Sequence, residues 1–199
     1  MIRFSSATIC ALMFLICGSA EATKIRPAFT SALEFGGDKL IDITYSDGSK
    51  SSIEAGRGIV FGGGVNIDLS ETVPHTFEAQ LTAAIKWTSA KEAKNGNVDW
   101  YRFPLELISF YHNTERNYRL GGGLTYQIAN ELKGSGDAAA AAMKFDNGAG
   151  YVLEGDYFFG EKKDLILGVR YTGINYRAQN AASSTINGSS WGIAFNYVW

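Results

Sequence analysis

The sequence predicts an all-β protein: an eight-stranded antiparallel up-and-down transmembrane β-barrel with short turns at one end and longer loops at the other. Three observations carry this. From Ala28 onward the dominant hydrophobic period is two, in runs bounded by Gly, Asn, Asp and Ser clusters. The apolar face of these runs is bulkier than the inside of an eight-stranded barrel can hold. The connections alternate in length, short at 70–75, 112–117 and 160–164, long at 89–97, 130–148 and 178–188.

The chain has 199 residues, which favours one domain, and its 23 Gly, 13% aromatic residues and 3 Pro suit strands in close contact. A formal charge of −2 argues against a nucleic-acid partner, which needs a basic face. Residues 1–22 read as a secretory signal peptide. Arg3 gives a positive start, Ala7 to Cys17 an apolar run too short to span a bilayer, and Ala20-Glu21-Ala22 a small-residue cleavage site. The barrel domain is then 23–199. Cys10 and Cys17 both lie in the leader, so the remainder has no thiol and no disulfide, and Phe14-Leu15-Ile16 before Cys17 does not suit lipid modification.

The first strand is expected at 28–35 with a continuation to 45, bent or bulged at Gly36-Gly37. Its continuation forms a hairpin over 39–55 that turns at Ser46-Asp47-Gly48-Ser49, where Asp-Gly suits positive φ. The arms are expected to extend the first two strands beyond the barrel, with Ile41, Ile43 and Tyr45 on one face, alternating with Asp42 and Thr44, and an edge ready for strand addition. The second strand follows at 51–69. The third, 76–88, alternates Phe77, Ala79, Leu81, Ala83, Ile85 and Trp87 with Glu78, Gln80, Thr82 and Lys86.

The fourth, 98–111, contains Pro104, which cannot donate to a ladder and predicts an irregularity. The fifth is 118–129, the sixth 149–159. Between them 138–142 (AAAAA) forms either a short helical turn or a loop. The seventh, 165–177, changes phase at Ile174 and Tyr176, which reads as a bulge after Gly173. The eighth, 189–199, ends the chain as WGIAFNYVW, with its bulky residues at odd positions.

Alternation alone leaves a soluble lipocalin-like barrel open. Room decides against it, because Trp, Tyr, Phe, Leu and Ile from every strand would overfill a small lumen, whereas Gly, Ala, Thr and scattered charges fit. Aromatics gather at both strand ends: Trp87, Trp100, Tyr101, Tyr126, Tyr151, Tyr171 and Trp191 at the loop end, and Phe77, Tyr111, Tyr118, Tyr157, Phe159, Tyr197 and Trp199 at the turn end. Such belts are interfacial girdles. Trp100, Phe110 and Phe158 fall on the inward face, as lumen caps or as register slips near the ends.

Over 27–199 this pattern resembles the small eight-stranded outer-membrane barrels of Gram-negative bacteria, of the OmpA-transmembrane-domain and OmpX kind. The most specific element is the aromatic terminal strand. The resemblance implies outer-membrane localisation after export, periplasmic turns, extracellular loops, and contact with outer-membrane lipid and lipopolysaccharide. It also implies that Phe195, Tyr197 and Trp199 are read by the outer-membrane assembly machinery. Most relatives end in Phe, whereas this chain ends in Trp.

Glu34, Glu78, Glu106, Glu154 and Asp156 are expected inside with Lys86, Arg102, Arg119 and Arg170, a near-balanced set that predicts cross-strand pairing. A self-satisfied plug is the first reading, and a narrow ion path built from the same residues the second. No enzyme activity is expected. Lipid A-modifying chemistry would need a His-Ser arrangement near the outer leaflet, and the two histidines, His75 and His112, lie at the turn end, where solvated turn residues are the simpler reading. No metal or cofactor motif occurs, and Gly62 to Gly64 and Gly121 to Gly123 read as barrel wall rather than phosphate loops. The expected role is structural or surface-interactive, with the hairpin of Ile41, Ile43, Tyr45, Asp47 and Gly48 and the long loops meeting a surface partner. The alternative is a narrow porin-like or hydrophobic-solute channel.

Overall fold

The computed structural model describes residues 24–45, 47–72, 75–93, 96–161, 163–179 and 185–199. The expected signal peptide lies outside the described residues, as does Ser46 of the hairpin turn. Twelve strands follow in chain order: β1 (Ile25–Phe35), β2 (Lys39–Thr44), β3 (Lys50–Glu54), β4 (Gly58–Thr72), β5 (His75–Ala93), β6 (Gly96–Asn113), β7 (Tyr118–Gly134), β8 (Met143–Lys144), β9 (Gly148–Phe159), β10 (Leu165–Arg177), β11 (Thr185–Asn187) and β12 (Ser190–Val198). A 3-10 helix at Gly136–Ala141 occupies the alanine-rich loop.

Eight of these strands close into one antiparallel ring, β1-β4-β5-β6-β7-β9-β10-β12, and β12 returns to β1 with Ala28 opposite Val198 and Phe35 opposite Trp191. Closure removes the sheet edges and ties down both chain ends of the barrel. Even-numbered residues point inward on the barrel strands, as far as Asp68 on β4, except on β7, where the odd ones do as far as Gln127. The outside is apolar: Leu124 is 66% exposed, Val169 63% and Trp191 66%, values that a water-facing surface would make costly and hydrocarbon makes favourable. About 26 Å of strand separates Trp191 from Trp199 at ~3.3 Å per residue, roughly 20 Å of height at the tilt of such barrels, close to one apolar band. Ring pairs cluster at both ends, with Tyr171 4.7 Å from Trp191 at the loop end and Tyr197 4.8 Å from Trp199 at the turn end.

Several expectations are corrected. The hairpin β2–β3 does not prolong the barrel strands. It pairs only with itself and folds inward over the loop end, turned there by Gly36 (φ +119°) and Gly37 (φ +87°), a region that disfavours side chains. There Ile43 and Ile53 join Trp100, Leu132, Phe145, Ile174 and Tyr176 in a dry core that caps the lumen. Trp100 therefore belongs to this cap and not to the girdle. Ile174 and Tyr176 follow no bulge: β10 stays in register with β9 through Ile174, and its inward face turns apolar because it has entered the cap.

Near Pro104 the ladder between β5 and β6 lapses over Phe103 and Pro104 while register is kept. The true bulge lies on the other side, between β6 and β7, where Tyr101 faces Glu131 but Phe103 faces Ile128. Ala129 absorbs the extra residue at φ +51°. That insertion flips the phase of β7, so Asn130 and Leu132 point inward.

Candidate functional site: a closed lumen

All nine charged residues expected in the lumen are buried there. They fall into three levels. At mid-barrel Arg170 of β10 gathers three carboxylates: its Nε lies 3.0 Å from Glu34 Oε1, its Nη1 donates to Glu154 Oε2 at 3.2 Å, and its Nη2 donates to Glu106. Lys86 also pairs with Glu34, whose Oε2 accepts the Ser190 hydroxyl at 2.6 Å, and Asn196 donates to Glu154 Oε1 at 2.8 Å. The cluster thus links β1, β5, β6, β9, β10 and β12 across the lumen.

Toward the turn end Arg119 Nε donates to Asp156 Oδ2 at 2.7 Å, and its Nη1 lies 3.4 Å from Glu78 Oε2. Glu78 also accepts from Asn66 at 3.0 Å and lies 2.8 Å from His112 Nδ1. The guanidinium of Arg119 sits 3.8 Å over the Phe110 ring, and His112 stacks on Phe158 at 4.1 Å. Phe110 and Phe158 are therefore inward lumen residues, as one of the two expectations had it. His112 is not a solvated turn residue, and His75 is half-buried at the start of β5. His112 is buried within this cluster, and His75 Nδ1 lies 2.7 Å from the Tyr111 hydroxyl.

Arg102 departs from the expected ion network. It makes no ion pair among the described residues and instead donates to the carbonyls of Ala55 at 2.7 Å and Arg57 at 2.6 Å. Trp100 Nε1 donates to the same Ala55 carbonyl at 3.0 Å. Arg102 and Trp100 thereby fasten the end of the hairpin onto the barrel mouth. Tyr176 completes this level by donating to Gln127 Oε1 at 2.5 Å. The sequence assigned no bonding role to Asn66, Gln127, Tyr176, Ser190 or Asn196. Their signal was position alone, each lying on the inward face of its strand.

The hairpin's surface residues Asp47 and Gly48 form the exposed tip. There the Ser49 hydroxyl at 2.7 Å and the Ser49 backbone N–H at 2.9 Å both donate to Asp47 Oδ1, holding its carboxyl below the ordinary aspartate range. Ile41 and Tyr45 pack against the cap and Ile43 lies in it, so the apolar face of the hairpin expected to meet a partner is already used. Phe195 and Tyr197 line the outside of β12, and the exposed Trp199 follows directly after it. No group of three or more His, Cys, Asp or Glu side chains that could hold a metal ion occurs among the described residues.

A ring of eight antiparallel strands, apolar outside, charged and paired inside and capped at one end, is a transmembrane β-barrel with a side-chain-filled lumen. No family model and no curated protein matches the chain. Among solved structures it is similar to Neisserial surface protein A, at 12% identity over 89% of this chain and 99% of that one, with a TM-score of 0.47. It is also similar to Ail, the attachment invasion locus protein of Yersinia pestis solved with the heparin analogue sucrose octasulfate, at 9% identity over 90% of this chain and 100% of that one, TM-score 0.44. A third is the outer membrane protein AlkL, solved in lipid bilayers, at 14% identity over 92% and 94% of the two chains, TM-score 0.41.

Proposed function

We propose that this protein is a non-conducting barrel of the bacterial outer membrane, reached after export, whose role is structural and interactive at the cell surface. One observation carries the reading: the lumen is crossed at three levels, by the Arg119 cluster, the Arg170 cluster and the apolar cap around Trp100. Each level is bonded across strands, and charges so paired resist the exposure that a hydrated pore requires. Catalysis has no place in this reading: both histidines lie at the turn end, away from the outer leaflet, and His112 is buried.

The outward aromatics of β12, Phe195, Tyr197 and Trp199, serve as the segment read by the assembly machinery, and the girdles meet lipid and lipopolysaccharide. A surface partner meets the exposed tip at Asp47 and Gly48 and the loops beside it, not the apolar face of the hairpin. The decisive experiment is planar-bilayer recording on the refolded protein. No conductance steps are expected from the wild type, whereas deletion of residues 40–54 opens the cap but leaves the two charged levels closed. Reproducible unitary steps from the wild type would overturn the proposal. Loss of adherence in cells carrying the tip variant Asp47→Lys tests the surface role, and unchanged adherence in that variant and in the 40–54 deletion would defeat it.

A further inference from the structure

On the outer wall at the loop end, a groove of about 360 Å³ opens where β4 stops at Gly58 while β1 and β5 run on beside it. Leu33, Phe35, Ile59 and Trp87 form its apolar wall, and Arg57 and Thr88 lie at its rim. The wall is built from lipid-facing positions, and Phe35 is 55% exposed. One carboxylate, Glu34, also borders the groove, but it is buried and committed to Lys86, Arg170 and Ser190. Arg57 is exposed and makes no ion pair among the described residues. Behind it, Arg102 is wholly buried, has no carboxylate partner among the described residues, and its Nε has no hydrogen-bond partner. Arg102 Nη2 is so close to Gly58 that a β-carbon there would meet it at 2.7 Å. Arg102 thus has no carboxylate at ion-pair distance, and an anion at the rim would lower the cost of burying it.

We infer that this groove binds one anionic lipid of the surrounding bilayer, its phosphate on Arg57 and one acyl chain along Phe35, Ile59 and Trp87. The inference rests on the transmembrane reading of the barrel. Cation and apolar wall stand in the order in which a lipid presents headgroup and chain at the interface. The volume lies within the range of small-ligand sites.

The test is native mass spectrometry of the full barrel released from vesicles of equimolar phosphatidylglycerol and phosphatidylcholine, with insertion checked by gel mobility of unheated samples. The wild type should retain one phosphatidylglycerol in preference to phosphatidylcholine. Arg57→Gln should reduce that preference about fivefold, the worth of one basic residue at an anionic surface. Arg177→Gln, an exposed cation elsewhere at the loop end, should not change it. Phe35→Ser, which keeps both arginines, should lower retention of either lipid. An inserted wild type without preference overturns the site while leaving the membrane reading intact. Displacement of the lipid by millimolar inorganic phosphate would also overturn it, because the site would then read phosphate alone. Failure to insert at all would overturn the membrane reading and this site with it.

Discussion

Replacing Arg170 with Leu isolates what the lumen charges contribute. Arg170 is the shared partner of Glu34, Glu106 and Glu154. After its loss Glu34 keeps Lys86 and Ser190, and Glu154 keeps Asn196. Glu106 has no other ion pair or hydrogen bond among the described residues, so it becomes an uncompensated buried carboxylate. Breaking a buried pair by removing one partner costs about 3–5 kcal/mol, and two hydrogen bonds to charged groups at roughly 1.5–3 kcal/mol each, with the Glu34 ion pair beside them, place this case at the upper end. We expect Arg170→Leu to lose about 5 kcal/mol in urea unfolding of the vesicle-inserted protein, followed by tryptophan emission and by gel mobility of unheated samples. Adding Glu106→Leu should recover about 2 kcal/mol, because the orphaned carboxylate is then gone. A loss of less than about 1 kcal/mol for the single variant would refute the view that these residues form a mutually dependent plug.

Three further outcomes follow from local geometry. Gly121→Ala places a methyl 2.4 Å from the Phe110 ring, which carries Arg119, and should cost about 1–3 kcal/mol in the same unfolding assay. Gly122→Ala, whose methyl meets only Leu153 at 3.6 Å and a backbone oxygen at 4.0 Å, should stay within about 0.5 kcal/mol. Ile53→Asp puts a carboxylate into the cap beside Trp100 and should release the hairpin, read as rapid protease cleavage near Lys50 while the barrel core stays resistant. Ser49→Ala removes the larger of the bonds that hold the Asp47 carboxyl below its ordinary value of 3.8, so its NMR titration midpoint should rise. Because the folded value is depressed, the turn gains from this bond above the unfolded value and loses it as the pH falls through the folded one.

The barrel was legible because a membrane imposes one rule on every strand. Each must alternate between a face for hydrocarbon and a face for a narrow lumen, and Phe77 to Trp87 or Leu165 to Tyr171 carry that rule without a break. The charged lumen was legible for the same reason, since Glu34, Arg119 and Arg170 sit where only the inside can hold them. The cap was not. Alternation of Ile41, Ile43 and Tyr45 says that one face is apolar, not what covers it, and Ile174 and Tyr176 looked out of phase because nothing local marks where a polar lumen gives way to a dry core. Arg102 escaped for another reason. Its partners are backbone carbonyls of Ala55 and Arg57, which no side-chain pattern announces.

The last strand carries two roles in the proposed reading, closing the barrel and signalling its assembly. Closure depends on backbone and small inward residues: Trp199 N donates to the Pro27 carbonyl at 3.1 Å, and a β-carbon on Gly192 would lie 2.4 Å from the Leu33 carbonyl oxygen. The Trp199 ring is 60% exposed on the outside and its ring contact is with Tyr197, so closure draws little from it. Trp199→Ala should therefore change in vitro stability by about 1 kcal/mol, the worth of one aromatic pair, while slowing appearance of the heat-modifiable form in cells. Gly192→Val should do the reverse in kind, failing to close even when refolded without any cellular machinery. If Trp199→Ala proved as damaging in vitro as Gly192→Val, the aromatic terminus would be a structural part of the seam and its reading as an assembly signal would lose its ground.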